Sequence, residues 1–346
     1  MKKLFITLAI LFTAFSSLSS YANEAKIEVV PTMKSESSAP NRIWVGTFQI
    51  VWNEFIDNIV KKSIEFVNFN SQMAKDLNKK SFKKSDISSN AYYTKYGFMT
   101  PDTKTEIEKA ILSKFNEKSD ILDLFSWAKN SKDTIIYAML KKDFKFLEAF
   151  DKLTPQYFGK NSKLAVDYFG INEYSDKKLY KNVEVMFYNS AEDFAVKLFT
   201  KDNDIVILYR TNDDKTFDKY YSDIKRKSQF YFKNRKFTKD DKLRVPNINL
   251  YQKTSFPELE GHPIKGSDFI IAETIETIDF KMDNEGVKLK SEAAIIAKCS
   301  LMPPSKGRYF MFTNDFVLFL VEKGKRTPYY AMKISDVGEI NKTGKK

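Results

Sequence analysis

The sequence predicts an α+β protein, with helices towards its N-terminal side and mixed sheets after them. Three observations predict it. Early segments carry apolar residues at three- and four-residue spacing, the helical period, whereas later segments alternate or run apolar over short stretches, as strands do. Near the end, Ile278, Phe280 and Met282 alternate with Asp279, Lys281 and Asp283, the pattern of a half-buried strand. Last, the apolar run from Phe316 to Val321 and residues 329–334 flank the turn Glu322-Lys323-Gly324-Lys325, so the chain closes on a buried hairpin. Between the alternating strand and that hairpin lies a long connection without a clean period. Such loops are more often functional than not.

Taken in order, Lys2-Lys3, the apolar core of residues 4–15 and Ser20-Tyr21-Ala22 read as a secretory signal peptide cleaved after Ala22. The apolar core is too short to serve as a comfortable membrane anchor. Export to a secreted or periplasmic location follows, with no transmembrane segment after cleavage. Residues 23–41 are polar and aperiodic, a flexible leader, and one domain is expected over residues 42–340, with a polar tail at 341–346. Phe48, Val51, Trp52, Phe55, Ile56 and Ile59 share one face of a helix. Residues 64–69 suit a short strand. Thr103-x-x-Glu106 reads as a capping box opening a helix through Ile107, Ile111 and Phe115. A further helix is expected over residues 121–128.

Residues 134–140, TIIYAML, are apolar and β-branched, hence a buried strand. Residues 183–188, 194–199 and 205–209 are three more, the last two joined by Lys201-Asp202-Asn203-Asp204. Phe217, Tyr220, Tyr221 and Ile224 then share a helix face. Residues 243–250 alternate again around Val245-Pro246.

These segments also carry a resemblance. A strand is followed by Glu285-Gly286, then Glu292-Ala293-Ala294, then Pro303-Pro304, then the phenylalanine-rich hairpin from Phe316. That order and spacing resemble the reactive-centre region of serpins. Ahead of it, Ala149-Phe150-Asp151 stands where the family carries Pro-Phe-Asp, and Leu243 to Leu250 resembles a family strand containing Val-Pro. The serpin-like order runs from about Thr134 to Val337. The implied fold is a serpin-like α+β domain with an exposed loop before the buried hairpin. The implied hinge is Glu285, Gly286, Val287, Leu289, Ser291, Ala293 and Ala294.

The implied activity is inhibition of a serine or cysteine protease through residues 286–308, without enzymatic turnover. The target would cleave the loop, form an acyl-enzyme, and be trapped as the loop inserts as a new strand. Counting from the hinge puts the scissile bond near Ser300, whereas counting back from Phe316 puts it near Pro304. Lys298, Leu301 and Lys306 are further reactive-loop candidates, and Lys298, Lys306 and Arg308 suit a trypsin-like target.

The sequence departs from the family in three places. No Ser-Pro-x-Ser segment is present, residues 64–70 being the nearest counterpart, and the loop is a few residues longer than usual. In the hinge, Val287 and Leu289 replace small residues. Val287, Leu289 and Ser291 can face inward with Lys288 and Lys290 outward, but an overpacked Leu costs on the order of 1–3 kcal/mol. The alternative reading is therefore a non-inhibitory serpin-like binding or envelope protein.

Other chemistry is poorly provided for. His262 is the only histidine and Cys299 the only cysteine, so no usual zinc site can be assembled and stability rests on packing, not disulfides. A catalytic triad would need His262, in a Gly-His-Pro loop, without a Gly-x-Ser-x-Gly elbow. Cys299 in the expected loop is either a tolerated residue or a reactive thiol. No cofactor or metal is expected, and the chain reads as a monomer. Lys and Arg number 57 against 45 Asp and Glu, a net charge of +12 that suits an anionic partner or surface and equally a Lys-rich composition. The run Lys225 to Lys236 interleaves aromatics with cations. It reads first as an edge strand guarded by charge, and second as a polyanion site, nucleic acid being disfavoured by export.

Overall fold

The computed structural model describes residues 27–159, 165–288, 307–338 and 340–341. The expected signal peptide, the loop from Leu289 to Lys306 and residues 342–346 lie outside them. In chain order, β1 (Ile27–Val29) and β2 (Asn41–Val45) lead into α1 (Gly46–Glu54), which continues as a π-helix over Phe55–Val60. Then come α2 (Gln72–Leu77), β3 (Tyr92–Phe98) and α3 (Pro101–Phe115). The strands β4 (Thr134–Leu140), β5 (Asp143–Lys145), β6 (Asp151–Tyr157), β7 (Ala165–Ile171), β8 (Val183–Ser190), β9 (Asp193–Phe199) and β10 (Asp204–Arg210) follow. Helix α4 (Phe217–Gln229) precedes β11 (Lys242–Pro246), β12 (Ile248–Thr254), β13 (Glu276–Met282) and β14 (Gly286–Lys288). The chain ends with β15 (Tyr309–Met311), β16 (Phe316–Glu322) and β17 (Tyr330–Ile334).

The expected hairpin, β16 and β17, sits inside a seven-stranded sheet of order β1-β2-β17-β16-β10-β9-β8. Every residue of both strands is buried, which explains their unbroken apolar character. On one face Phe217 and Tyr221 of α4 pack on Phe319, with ring centroids 6.2 and 5.2 Å apart. Tyr330 stacks at 4.6 Å on Phe280 of β13, which brings the β12-β13-β14-β5 sheet against the hairpin. A third sheet runs β15-β11-β7-β6, and β3 pairs with β4 alone. One apolar core extends from Ile27 to Ile340, and a satellite cluster beneath α3 joins Ile107, Ile111, Phe115 and Tyr137.

Several expectations are corrected. Order begins within the expected leader: β1 pairs parallel with β2, because Ile27 and Val29 alternate inward and bury their side chains. The cap of α3 is Thr100, whose side chain accepts from the Thr103 amide, with Pro101 opening the helix. Residues 64–69 make only isolated bridges, Phe66 to Phe69 and to Ile264. Residues 121–128 hold one 3₁₀ turn, Leu122–Leu124. Residues 243–250 are two strands, for at Asn247 the chain passes from the β11 sheet to the β12 sheet. The run 225–236 is no edge strand. Its first part completes α4 and the rest is a loop, which meets β8 through the isolated Glu184–Lys236 bridge and through Arg235. Among the described residues, no helix is long and apolar enough to cross a membrane.

Candidate functional site

The hinge of the sequence reading is a structural wedge. After β13 the chain turns at Asp283-Asn284-Glu285, where the Asp283 carboxylate accepts from the Glu285 amide at 2.9 Å. It then re-enters the sheet as β14, antiparallel to β13 on one side and to β5 on the other. The backbone is stitched further by Phe146 N–H to Glu285 O (2.9 Å) and Phe150 N–H to Asn284 O (2.8 Å). Gly286 is required by close approach: a Cβ there would lie 2.2 Å from Phe144 O and 2.7 Å from Lys145 Cα. Val287, opposite Met282 and Phe144, is fully buried, the inward orientation that period-2 alternation assigns it. Glu285 itself is exposed.

Among the described residues, β14 pairs with β13 at Lys281 and Met282, and residues 276–280 of β13 are paired by β12 on one edge. β4 is likewise paired on one edge among the described residues, by β3. Both strands line the same cleft of about 1000 Å³, whose floor carries Phe48, Trp52 and Phe55 of α1 and its π extension. The cleft thus offers strand edges and an apolar floor, the requirements for accepting an added strand.

Glu276 is buried in this cleft. One carboxyl oxygen, Oε1, accepts from the Phe48 amide at the start of α1 (3.2 Å), while Oε2 has no partner among the described residues. Burial pushes its pKa up from 4.5 to about 8, against a smaller pull from the Phe48 amide, so the group is largely protonated at neutral pH. The sequence reading missed it, although Glu276 continues the inward parity of Ile278, Phe280 and Met282. Behind the floor, amide side chains hold α1 in place. Gln49 donates to Leu77 O (2.8 Å), Asn53 to Phe82 O (2.9 Å) and Trp52 to the Asn78 side-chain oxygen Oδ1 (3.1 Å). Asn78 also donates to Ile64 O at 2.9 Å, so residues 64–70 are fixed from α2's end without a Ser-Pro-x-Ser motif.

The break between β4 and β5 is anchored. Lys142 pairs with Asp204 at 3.0 Å and with Glu322, Tyr329 donates to Asp204 at 2.9 Å, and Ser88 donates to Glu322 at 2.6 Å. The far end of the loop is anchored as well. Arg308 pairs with Asp241 (2.8 Å) and donates to Asn234 O and Lys236 O, each at 2.7 Å. Burial raises the Asp241 carboxyl, but the hydrogen bonds from Arg308 and Thr238 outweigh it and hold the group below its ordinary value. Gly307 is pinned too, since a Cβ would overlap Asp240 O. Arg308 is therefore committed to structure, which corrects its expectation as a protease-attracting residue.

Of the predicted hinge, Glu285, Gly286 and Val287 are brought together here. Leu289, Ser291, Ala293, Ala294 and the candidates Lys298, Cys299, Ser300, Leu301, Pro304 and Lys306 lie outside the described residues. His262 stacks on Phe69, centroids 4.0 Å apart, and among the described residues it bonds to no serine or carboxylate. No group of three or more metal-ligating side chains gathers among the described residues.

The architecture is α+β, with mixed sheets and few helices. The chain is similar to Serpin48, a highly specific serpin in the insect Tenebrio molitor, at 13% identity over 84% of this chain and 96% of that one, with a TM-score of 0.43. It is similar to human glycosylated kallistatin at 12% identity, over 84% and 95%, with a TM-score of 0.43. It is also similar to thyroxine-binding globulin in complex with thyroxine at 11% identity, over 68% of this chain and 64% of that one, with a TM-score of 0.44. The chain thus spans less than two thirds of that globulin chain. No protein-family model and no curated protein sequence matches the chain.

Proposed function

We propose that this chain is an exported, serpin-like inhibitor that traps a serine or cysteine protease through the loop following β14. One observation carries the reading: the hinge is already wedged between β5 and β13 at the mouth of a cleft bordered by two strand edges. The protease nucleophile would attack a loop carbonyl, expelling the new amino terminus and leaving the N-terminal arm as an acyl-enzyme. That arm, continuous with β14, would enter the cleft antiparallel to β13. Continuing the β13–β14 register would set Leu289 opposite Phe280, Ser291 opposite Ile278 and Ala293 opposite Glu276. The smallest of these side chains meets the buried carboxyl. On the outer face Lys290 would stand opposite Asp279, a favourable cross-strand charge pair.

The test is incubation of the exported chain with a panel of serine and cysteine proteases, read by denaturing gel and by thermal melting. A gel-stable adduct and a cleaved form melting far above the intact chain support inhibition and map the bond. Clean cleavage with neither sinks it. A second reading, a non-inhibitory binding protein, is favoured by Leu289, which would have to enter beside the fully buried Phe280.

A further inference from the structure

The run from Lys225 to Lys239 holds seven basic residues and no acidic one, and the proposed inhibitory cycle leaves it unused. Its loop exposes two large apolar side chains, Phe230 at 66% and Phe232 at 89%. Between them Tyr231 is buried, so the two phenyl groups stand out from a fixed post. Arg235 braces the same turn by donating to Tyr231 O at 3.0 Å, to Met186 O at 2.8 Å and to Ser228 O. Arg308 holds the next residues through Asn234 O and Lys236 O. Aromatic exposure here is thus imposed by a braced backbone.

In the same loop, Lys233, Lys236 and Lys239 are exposed, and none has a carboxylate within ion-pair distance among the described residues. Nearby Arg226 and Lys227 are already paired, with Asp223 and Asp193. A soluble polyanion would be satisfied by the lysines and would leave Phe230 and Phe232 in water. A bilayer interface bearing anionic headgroups satisfies both, because phenyl groups partition below the headgroups while the lysines stay at their level. We infer that the Phe230–Phe232 loop is a peripheral docking surface for an anionic lipid bilayer. The chain's positive balance acts in the same direction, by attracting it to such a surface.

The experiment is co-sedimentation of the exported chain with vesicles of phosphatidylcholine alone or mixed with phosphatidylglycerol, alongside retention on heparin. Wild type is expected to sediment with the mixed vesicles and far less with phosphatidylcholine. The double variant Phe230→Ser, Phe232→Ser, which alters only exposed side chains, is expected to lose about tenfold or more in vesicle partitioning while keeping its heparin retention. The double variant Lys233→Glu, Lys236→Glu is expected to lose both. Two results overturn the inference: no sedimentation of wild type with mixed vesicles, or unchanged partitioning of the phenylalanine variant. Heparin retention without vesicle binding identifies a polyanion site instead.

Discussion

Replacing Glu276 by Gln tests whether the cleft holds a buried, protonated acid. Gln keeps the shape of the neutral carboxyl and the oxygen that accepts from the Phe48 amide, but it cannot ionise. The folded-state pKa of about 8 lies above the unfolded value of 4.5, so between these values the folded chain holds a proton that the unfolded chain has released. Stability from this group is full below about pH 4.5 and is lost as pH rises towards 8. Each pH unit in that window costs about 1.4 kcal/mol, hence about 2–3 kcal/mol between pH 5 and 7 and about 4–5 kcal/mol across the whole window.

Urea unfolding of wild type and Glu276→Gln at half-unit steps from pH 5 to 8.5 reads this directly. Near pH 5 the two are expected to lie within about 1 kcal/mol, since a neutral acid and an amide differ little there. By pH 8 the variant is expected to be the more stable by several kcal/mol, about 4 by the same linkage. Other groups do not imitate the difference. The depressed carboxyls Asp76, Asp214, Asp223 and Asp241 lose their contribution only as pH falls through their folded values, below 3.8. Asp204, raised chiefly by burial, has the same sign as Glu276 but is common to both proteins. Parallel pH profiles for wild type and variant would refute the reasoning and require Glu276 to be solvated.

The remaining perturbations act on the two ends of the loop. Arg308→Ala leaves the buried Asp241 carboxylate without its cation and removes two backbone contacts, an expected loss of about 3–5 kcal/mol in a urea melt. A loss below about 1 kcal/mol would return Arg308 to the role of an exposed loop residue. In limited trypsin digestion of wild type, cleavage is expected at Lys298 or Lys306 and not at Arg308, as mass spectrometry of the fragments will read. Gly286→Val forces a side chain into the Phe144 carbonyl, so β14 is expected to be expelled and the melt lowered by about 1–3 kcal/mol or more. An unchanged melting temperature would mean that β14 is not wedged in the sheet.

What the sequence made legible follows from how completely a side-chain pattern determines an environment. β16 and β17 were readable because strands covered on both faces leave no room for polar residues. Val287 was readable because alternation, once fixed by Ile278, Phe280 and Met282, continues through a tight turn. Residues 225–236 misled because cations and aromatics in turn suit an exposed strand edge and the last turn of a helix equally. What decides is Ile224, Tyr220 and Phe217 burying against the sheet, which extends the helix to Gln229. Arg308 misled for a related reason, as no local pattern shows that Asp241 and two carbonyl groups from residues 234 and 236 converge on it. Glu276 was legible in parity but not in consequence. Inwardness reads from alternation, whereas desolvation depends on Phe48 and the neighbouring strands closing over the carboxyl.

These anchors also give the proposed insertion a direction. The described chain on either side of residues 289–306 is held at two posts, each a glycine forced by backbone contact, Gly286 against Phe144 and Gly307 against Asp240. The posts differ in what lies beside them. Gly286 opens onto the free edge of β13 and the cleft, whereas Gly307 is followed by the Arg308–Asp241 pair and by β15, which is already paired parallel to β11. A cut anywhere between them therefore releases two arms with unequal prospects. Among the described residues, the arm attached to β14 has the one-sided edge of β13 ahead of it in a register already begun, while the other remains stapled to the turn at residues 234–236. An acyl bond sits on the carbonyl side of the cut, the arm that can move. The same asymmetry makes Arg308 a structural condition of the proposed trap, although no protease would touch it.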